Sequence, residues 1–284
     1  MRAPYLQGNR PLAPGGTARE SCSMTASHAP TDPPEDMVPA ATVVIFRRSP
    51  RPGGPPELLM VKRAPKMRFA AGALVFPGGR VDAEDTALAR RLLPDEDETL
   101  GAGRIAAIRE TLEETGLLIA NPAAVSPQAV REGRELLLRE GALAPVLERM
   151  GWELDPGRLT FYAHWCAPGT RPFDTRFFLT DLGRGQVDIA VDETENTYLF
   201  WASARDTLAL CERGEGRVIF PTRRNLERLA GHATFAEAKA DAQAHPPRRI
   251  RPVIEHREDG DWLTIPEGRG YPVCAEAMAS VQRG

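Results

Sequence analysis

The sequence predicts a mixed α/β (α+β) fold, and three observations carry that prediction. Short β-branched runs recur along the chain, helical segments with apolar periodicity stand between them, and glycine- and proline-rich turns separate the two kinds of segment. No self-similarity at a period of roughly 20–50 residues points to a repeat architecture. Hydrophobic residues make up 42% and charged residues 26% of the 284-residue chain, so a core of useful size is available.

The elements follow in order. Ala41-Thr42-Val43-Val44-Ile45-Phe46 is a strand, Arg51-Pro52-Gly53-Gly54-Pro55-Pro56 is turn chemistry, and Glu57 to Lys62 is a second strand that completes a hairpin. Ala73-Leu74-Val75-Phe76 is a short strand running into Pro77-Gly78-Gly79. Thr86 to Leu93 is a helix closed by Pro94, and Asp95 to Gly103 is an acidic loop. Arg104 to Thr115 is a strong helix ended by Gly116, a residue free to adopt the left-handed conformation just past a helix. Leu117-Leu118-Ile119 is a strand, and a helix spans Pro127 to Glu140. Strands recur at Leu159 to Trp165, Thr175 to Thr180 and Thr197 to Trp201. Helices follow near Ala204 to Glu212, Thr222 to Ala230 and Phe235 to Ala244, and Val253-Ile254 and Trp262-Leu263 flank Asp259-Gly260 as a hairpin.

The chain divides into a tail (1–38), a main domain (39–232) and a C-terminal helix with hairpin packed on it (233–284). The tail carries Pro4, Pro11, Pro14, Pro30, Pro33 and Pro34 without apolar periodicity, and such a stretch buries too little surface to offset its ordering entropy. It reads as disordered. Its arginines faintly resemble a transit peptide, but no amphipathic helix accompanies them. Met24 and Met37 are alternative starts, and a chain beginning near Met37 is expected to keep full activity.

A net charge of −3 argues against broad nucleic-acid binding, which needs a cationic surface. No apolar run approaches the roughly 18 residues of a membrane span. Cys22, Cys166, Cys211 and Cys274 lie far apart with no C-x-x-C pair, which disfavours a zinc site and a disulfide framework and fits a cytoplasmic setting. Oligomerisation is left open.

The chemistry concentrates in Arg109-Glu110-Thr111-Leu112-Glu113-Glu114-Thr115-Gly116-Leu117. On a helix with Glu110 at zero, Glu114 falls near about +40° and Glu113 near about −60°, so the three carboxylates share a face. Ile105, Ile108 and Leu112 take the opposite side, toward a core. Glu110 and Glu114 repel at i,i+4, and Glu113 and Glu114 crowd the helix end that favours cations. A divalent cation with hard oxygen ligands, Mg²⁺ or Mn²⁺, would reverse both penalties, whereas a solvated acidic face would leave them standing. Phe76-Pro77-Gly78-Gly79 precedes the helix, with Arg80-Val81-Asp82-Ala83-Glu84-Asp85 after it. Glycines there let backbone N–H groups approach a phosphate.

These residues resemble the Nudix box, G-x5-E-x7-R-E-U-x-E-E-x-G-U with U apolar. Arg109-Glu110, Glu113-Glu114, Gly116 and Leu117 match its second half, with Thr111 at the first U. Gly79 and Asp85 match the first half, with Asp for the usual Glu; Glu84 serves instead if the count starts at Gly78. The gap from Asp85 to Arg109 far exceeds the seven residues of the pattern, and the Thr86 to Gly103 region holds the insertion. Such an insertion resembles the subgroup of peroxisomal coenzyme A diphosphatases and their bacterial relatives. Their upstream pattern, R-[SA]-x3-R-x3-G-x3-F-P-G-G, is met by Arg63-Ala64, Arg68, Gly72 and Phe76-Pro77-Gly78-Gly79, while the Leu-Leu-Thr before it is only partly kept as Leu59-Met60-Val61.

The resemblance implies a Nudix-type α/β/α sandwich with a mixed central sheet and an enzyme that hydrolyses the diphosphate of a small nucleotide derivative on Mg²⁺ or Mn²⁺. It implies Glu110, Glu113, Glu114 and Asp85 (or Glu84) as metal ligands, Glu110 and Glu114 as catalytic, and Arg109 as the group that orients Glu110. Arg63, Arg68, Gly78 and Gly79 would meet substrate, with Lys62 and Lys66 nearby. Coenzyme A or an acyl-coenzyme A is the expected substrate, giving 3′,5′-ADP and (acyl-)phosphopantetheine. ADP-ribose or NADH is the alternative, and a catalytically silent nucleotide sensor is the alternative of another class. Asp192-Glu193-Thr194-Glu195 is a candidate for an extra acid but reads first as an exposed loop, and His164 and Arg176 read first as structural. Trp262 and Tyr271 read as anchors of the C-terminal hairpin.

Overall fold

Both faces of the first strand, β1 (Val38–Arg47), are covered, which is why it is apolar almost without interruption. The structure, a computed structural model, describes residues 37–66, 70–166, 173–183 and 196–281. The expected tail therefore falls almost wholly outside the described residues, and order is in place by Val38. The described residues belong to one compact unit, Pro33–Gly284.

Strands β2 (Glu57–Arg63), β3 (Leu74–Val75) and β4 (Gly78–Arg80) come next, then helices α1 (Ala83–Leu92), α2 (Glu98–Thr115), α3 (Pro127–Glu140) and α4 (Leu143–Met150). β5 (Thr160–Cys166), β6 (Phe173–Asp181) and β7 (Asn196–Ala202) precede α5 (Ala204–Glu212), α6 (Phe220–Leu229) and α7 (Phe235–Ala244). The chain closes with β8 (Arg249–Ile250), β9 (Val253–Arg257), β10 (Gly260–Thr264), β11 (Ala275–Ala277) and α8 (Met278–Val281).

The central sheet is mixed. Its path runs β3-β2-β1-β6-β5-β8, with β4 also paired to β1 and β7 to β2. β1 is parallel to β6 and antiparallel to β2 and β4. Side chains alternate between two cores. Val43, Ile45, Leu59, Val61 and Phe178 pack toward α1 to α4, while Val44, Phe46, Leu58, Met60 and Leu179 pack toward α6, α7 and the C-terminal segment. Helices therefore lie on both faces, and the fold is the expected α/β/α sandwich. On the second face Tyr271 ties the C-terminal segment down: Trp165 Nε1 donates to its hydroxyl at 2.9 Å, and the hydroxyl donates to Asn225 Oδ1 at 2.9 Å. The hairpin expected about Asp259-Gly260 is β9–β10, which with β11 forms a separate three-stranded sheet.

Four local expectations are corrected. The segment taken as an acidic loop, Asp95 to Gly103, holds the first turns of α2, capped by Asp97, whose side chain accepts from Leu100 N at 2.9 Å. Its glycines are close-packing sites: a Cβ on Gly103 would lie 3.2 Å from Arg176 Cδ and 3.5 Å from the Phe178 ring. Leu117-Leu118-Ile119 is no strand, although Leu117 and Ile119 are buried in the core as apolar alternation requires. Gly78-Gly79-Arg80 is a strand as well as a turn exit, because it pairs with Ala40-Ala41-Thr42 of β1. α4 has no counterpart among the expected elements; it begins at Leu143 without a side-chain cap, so the usual start signal is missing.

Candidate active site at the end of the acidic helix

α2 carries the site because its inner face is continuous core. Ile105, Ile108 and Leu112 are fully buried against β1 and the sheet. That packing fixes the rotation of the helix and presents Glu110, Glu113 and Glu114 toward β4. β4 comes unusually close. A Cβ on Gly78, whose φ is +150°, would lie 2.2 Å from Ala41 O, and a Cβ on Gly79 would lie 2.3 Å from the Glu110 carboxyl carbon. The Gly78 N–H donates to Glu114 Oε2 at 3.0 Å. The Gly78 N–H, expected near a phosphate, is donated to Glu114 in this structure. The open side of Gly79 is filled by Glu110. The glycines serve to bring strand and helix together.

Arg109 is the hub. Its Nε and one terminal nitrogen donate to the two oxygens of Asp85 at 2.9 Å each, and the same terminal nitrogen donates to Arg80 O at 2.9 Å and lies 3.3 Å from Asp82. The other terminal nitrogen meets Glu110 Oε1 at 3.0 Å and Glu113 Oε2 at 3.2 Å. Asp85 is 1% exposed and also accepts from Asp82 N at 2.9 Å, closing the first turn of α1. Asp85, expected from the resemblance as a metal ligand, has both its oxygens on Arg109. Glu84, the alternative acid, is exposed on α1. The first turn of α1, just before the inserted region, thus supplies the anchor of the hub.

The electrostatics are unbalanced. Burial pushes the Glu110 carboxyl up to about 8; Arg109 opposes the rise, and the neighbouring Glu114 and Glu113 charges add to it. Burial also raises Glu113, again against the pull of Arg109. Burial works against the Arg109 charge, but the hydrogen bonds of Asp85 and the charges of Glu110, Asp85 and Glu113 outweigh it and hold the guanidinium protonated. Among the described residues no three His, Cys, Asp or Glu side chains are already drawn around one point as ligands to one ion. The donor set nonetheless suits Mg²⁺ or Mn²⁺, which take one or two protein carboxylates and complete their shell with water and substrate phosphate oxygens.

Of the expected substrate contacts, Arg63 sits at the end of β2, and its Nε is buried without a hydrogen-bond partner. Arg68 and the Asp192-Glu193-Thr194-Glu195 segment lie outside the described residues. His164 and Arg176 converge elsewhere. His164 Nε2 lies 2.7 Å from Asp174, Arg176 lies 3.3 Å from it, and Arg249 donates to it at 3.0 Å. Two residues escaped the sequence reading. Asp82 stood inside the quoted acidic segment, but its reach to Arg109 depends on the α1 turn. Arg134 of α3 donates to Glu113 O at 2.9 and 2.7 Å, and no spacing rule links it to α2.

No profile of a known protein family matches the chain. The crystal structure of a Nudix hydrolase from Alicyclobacillus acidocaldarius superposes with a TM-score of 0.62 at 30% identity, covering 72% of this chain and 96% of that one. The Nudix hydrolase NudL of Klebsiella aerogenes is 37% identical over 89 residues, 31% of this chain and 67% of the relative. The chain belongs to the Nudix hydrolase family. This Nudix hydrolase also resembles the acyl-coenzyme A diphosphatase NUDT19 of Gallus gallus, 27% identical across 80% of this chain and 76% of the relative. No helix among its described residues is long and apolar enough to cross a membrane.

Proposed function

We propose that the chain hydrolyses the diphosphate of coenzyme A or an acyl-coenzyme A in the presence of Mg²⁺ or Mn²⁺. The observation that carries the reading is the set of three carboxylates at the end of α2: Glu110 and Glu113 share one terminal nitrogen of Arg109, and Glu114 accepts the N–H of Gly78. Glu113 and Glu114, with Glu110, would hold the cation. When bound, the ion supplies positive charge against the anionic phosphoryl oxygens and makes water more acidic. Glu110, its carboxyl held by Arg109, is proposed to take the proton of the attacking water. Arg109 fixes the Glu110 and Glu113 carboxylates, and Asp85 fixes Arg109. Water adds to one phosphorus, the anhydride P–O bond breaks, and 3′,5′-ADP leaves from (acyl-)phosphopantetheine.

The substrate assignment draws on the Arg63 to Gly79 pattern and on the likeness to an acyl-coenzyme A diphosphatase. Arg63, with a buried Nε that has no protein partner, is proposed to meet a phosphate, and Arg68 is proposed with it from the sequence pattern. A panel of coenzyme A, acyl-coenzyme A, ADP-ribose and NADH, each with Mg²⁺ and Mn²⁺, tests the reading. The coenzyme A substrates should give the highest kcat/KM. Preference for ADP-ribose or NADH would overturn the substrate class, and no turnover on any of the four would overturn the hydrolytic reading of this site.

A further inference from the structure

We infer that Arg134, outside the box and on another helix, is a positioning residue for the carboxylate end of α2. The inference rests on the proposed metal-holding role of Glu110, Glu113 and Glu114. The last carbonyls of a helix have no partner within it and carry its negative end, where cations are normally placed. α2 has no basic residue in its last turn and places Glu113 and Glu114 there instead. The carbonyls just before Glu113 find partners within the helix or at its cap. Thr111 O accepts from Thr115 Oγ1 at 2.6 Å, and Leu112 O accepts from Gly116 N at 3.0 Å.

Glu113 O accepts both Nε and a terminal nitrogen of Arg134, at 2.9 and 2.7 Å. Two donors from one rigid guanidinium plane fix the direction of that carbonyl, and with it the peptide that joins Glu113 to Glu114. Rotating that peptide would swing both carboxylates away from Arg109 and Gly78. Arg134 is itself held on a firm base. α3 starts at Ser126, whose Oγ accepts from Ala129 N at 3.1 Å, and Leu136 and Leu137 are buried in the core beneath it. The same side chain brings positive charge to the negative helix end.

The test is Mn²⁺ binding to the free protein, followed by electron paramagnetic resonance, with wild type, R134M, R134K and L136A. Partners of ligand groups commonly change metal affinity by about 10–100-fold. R134M should weaken Mn²⁺ binding about 10-fold or more, R134K should recover part of the loss, and KM for coenzyme A at saturating Mn²⁺ should barely move. L136A loosens α3 without touching Glu113, and should lower Tm while leaving Mn²⁺ affinity within about twofold. Unchanged affinity in R134M, or an equal loss in L136A, would overturn the inference, the second by reducing Arg134 to a clamp between helices. If R134M does not fold, R134Q carries the same comparison. Wild type that binds no Mn²⁺ would instead remove the metal-holding reading beneath it.

Discussion

Two buried ionic clusters touch α2, one at each end, and their charge balance is opposite. At the start of the helix Arg176 donates to Thr99 and joins His164 and Arg249 around the single carboxylate of Asp174. Burial alone would raise Asp174, but the hydrogen bond and charge of His164 and the charges of Arg249 and Arg176 hold it at about 2. At the far end several carboxylates share Arg109, and Glu110 is driven up to about 8. The first cluster is complete within the protein and ties β5, β6, β8 and α2 together. The second is short of positive charge, and on the proposed function a divalent cation supplies it.

The comparison can be broken first at the acidic end. E114Q removes the charge of Glu114 while keeping its shape and an oxygen able to accept the Gly78 N–H. A divalent ion supplies several kcal/mol to such a reaction, so kcat should fall by about 10²-fold or more with the fold intact. Near-normal turnover would contradict the assigned role. The glycine pair sharpens the point. In G79A the new methyl meets the flexible end of Glu110, so displacement of that carboxylate by about 1 Å should cost on the order of 10²-fold in kcat with little change in Tm. In G78A the methyl meets the backbone of β1, so Tm should fall as well. Equal Tm values for the two variants would refute this division.

The other cluster should respond in stability alone. D174N leaves buried cations without their anion, which should destabilise the chain by about 3–5 kcal/mol in urea unfolding at neutral pH. The pH dependence has a definite sign. The folded-state pKa of Asp174 lies below its ordinary 3.8, so its contribution is full above the ordinary carboxylate range and disappears as the pH falls toward about 2. Its full size is roughly 2 kcal/mol. The gap between wild type and D174N should therefore narrow by roughly 2 kcal/mol in acid; a gap that stays constant from pH 6 to pH 2 would argue against the network. The smallest effect is expected at the rim: R63E should raise KM for coenzyme A several-fold with kcat nearly unchanged, and unaltered kinetics would remove Arg63 from the site.

Much of this was legible in the sequence where periodicity and packing agree. β1, α2 and the alternation of Phe177, Phe178 and Leu179 follow from apolar spacing, and the shared face of Glu110, Glu113 and Glu114 follows from the helical repeat. The sequence misled where one residue type has two uses. Gly101 and Gly103 read as loop residues but are contact points inside a helix. The pairing of Asp85 with Arg109 was not legible, because spacing reports which acids are near and not which of them a buried arginine holds. Arg134 left no trace, because a contact between α3 and the end of α2 depends on how two helices dock.

The central claim is that the carboxylate end of α2 is short of positive charge and binds a divalent ion, and it is tested most directly without any substrate. Mn²⁺ should be titrated into wild type and into the E110Q/E113Q/E114Q triple variant, with free Mn²⁺ read by electron paramagnetic resonance and folding checked by circular dichroism. Saturable binding to wild type that is lost in the folded triple variant is the predicted result; equal binding by the two proteins, or none by wild type, would contradict the account.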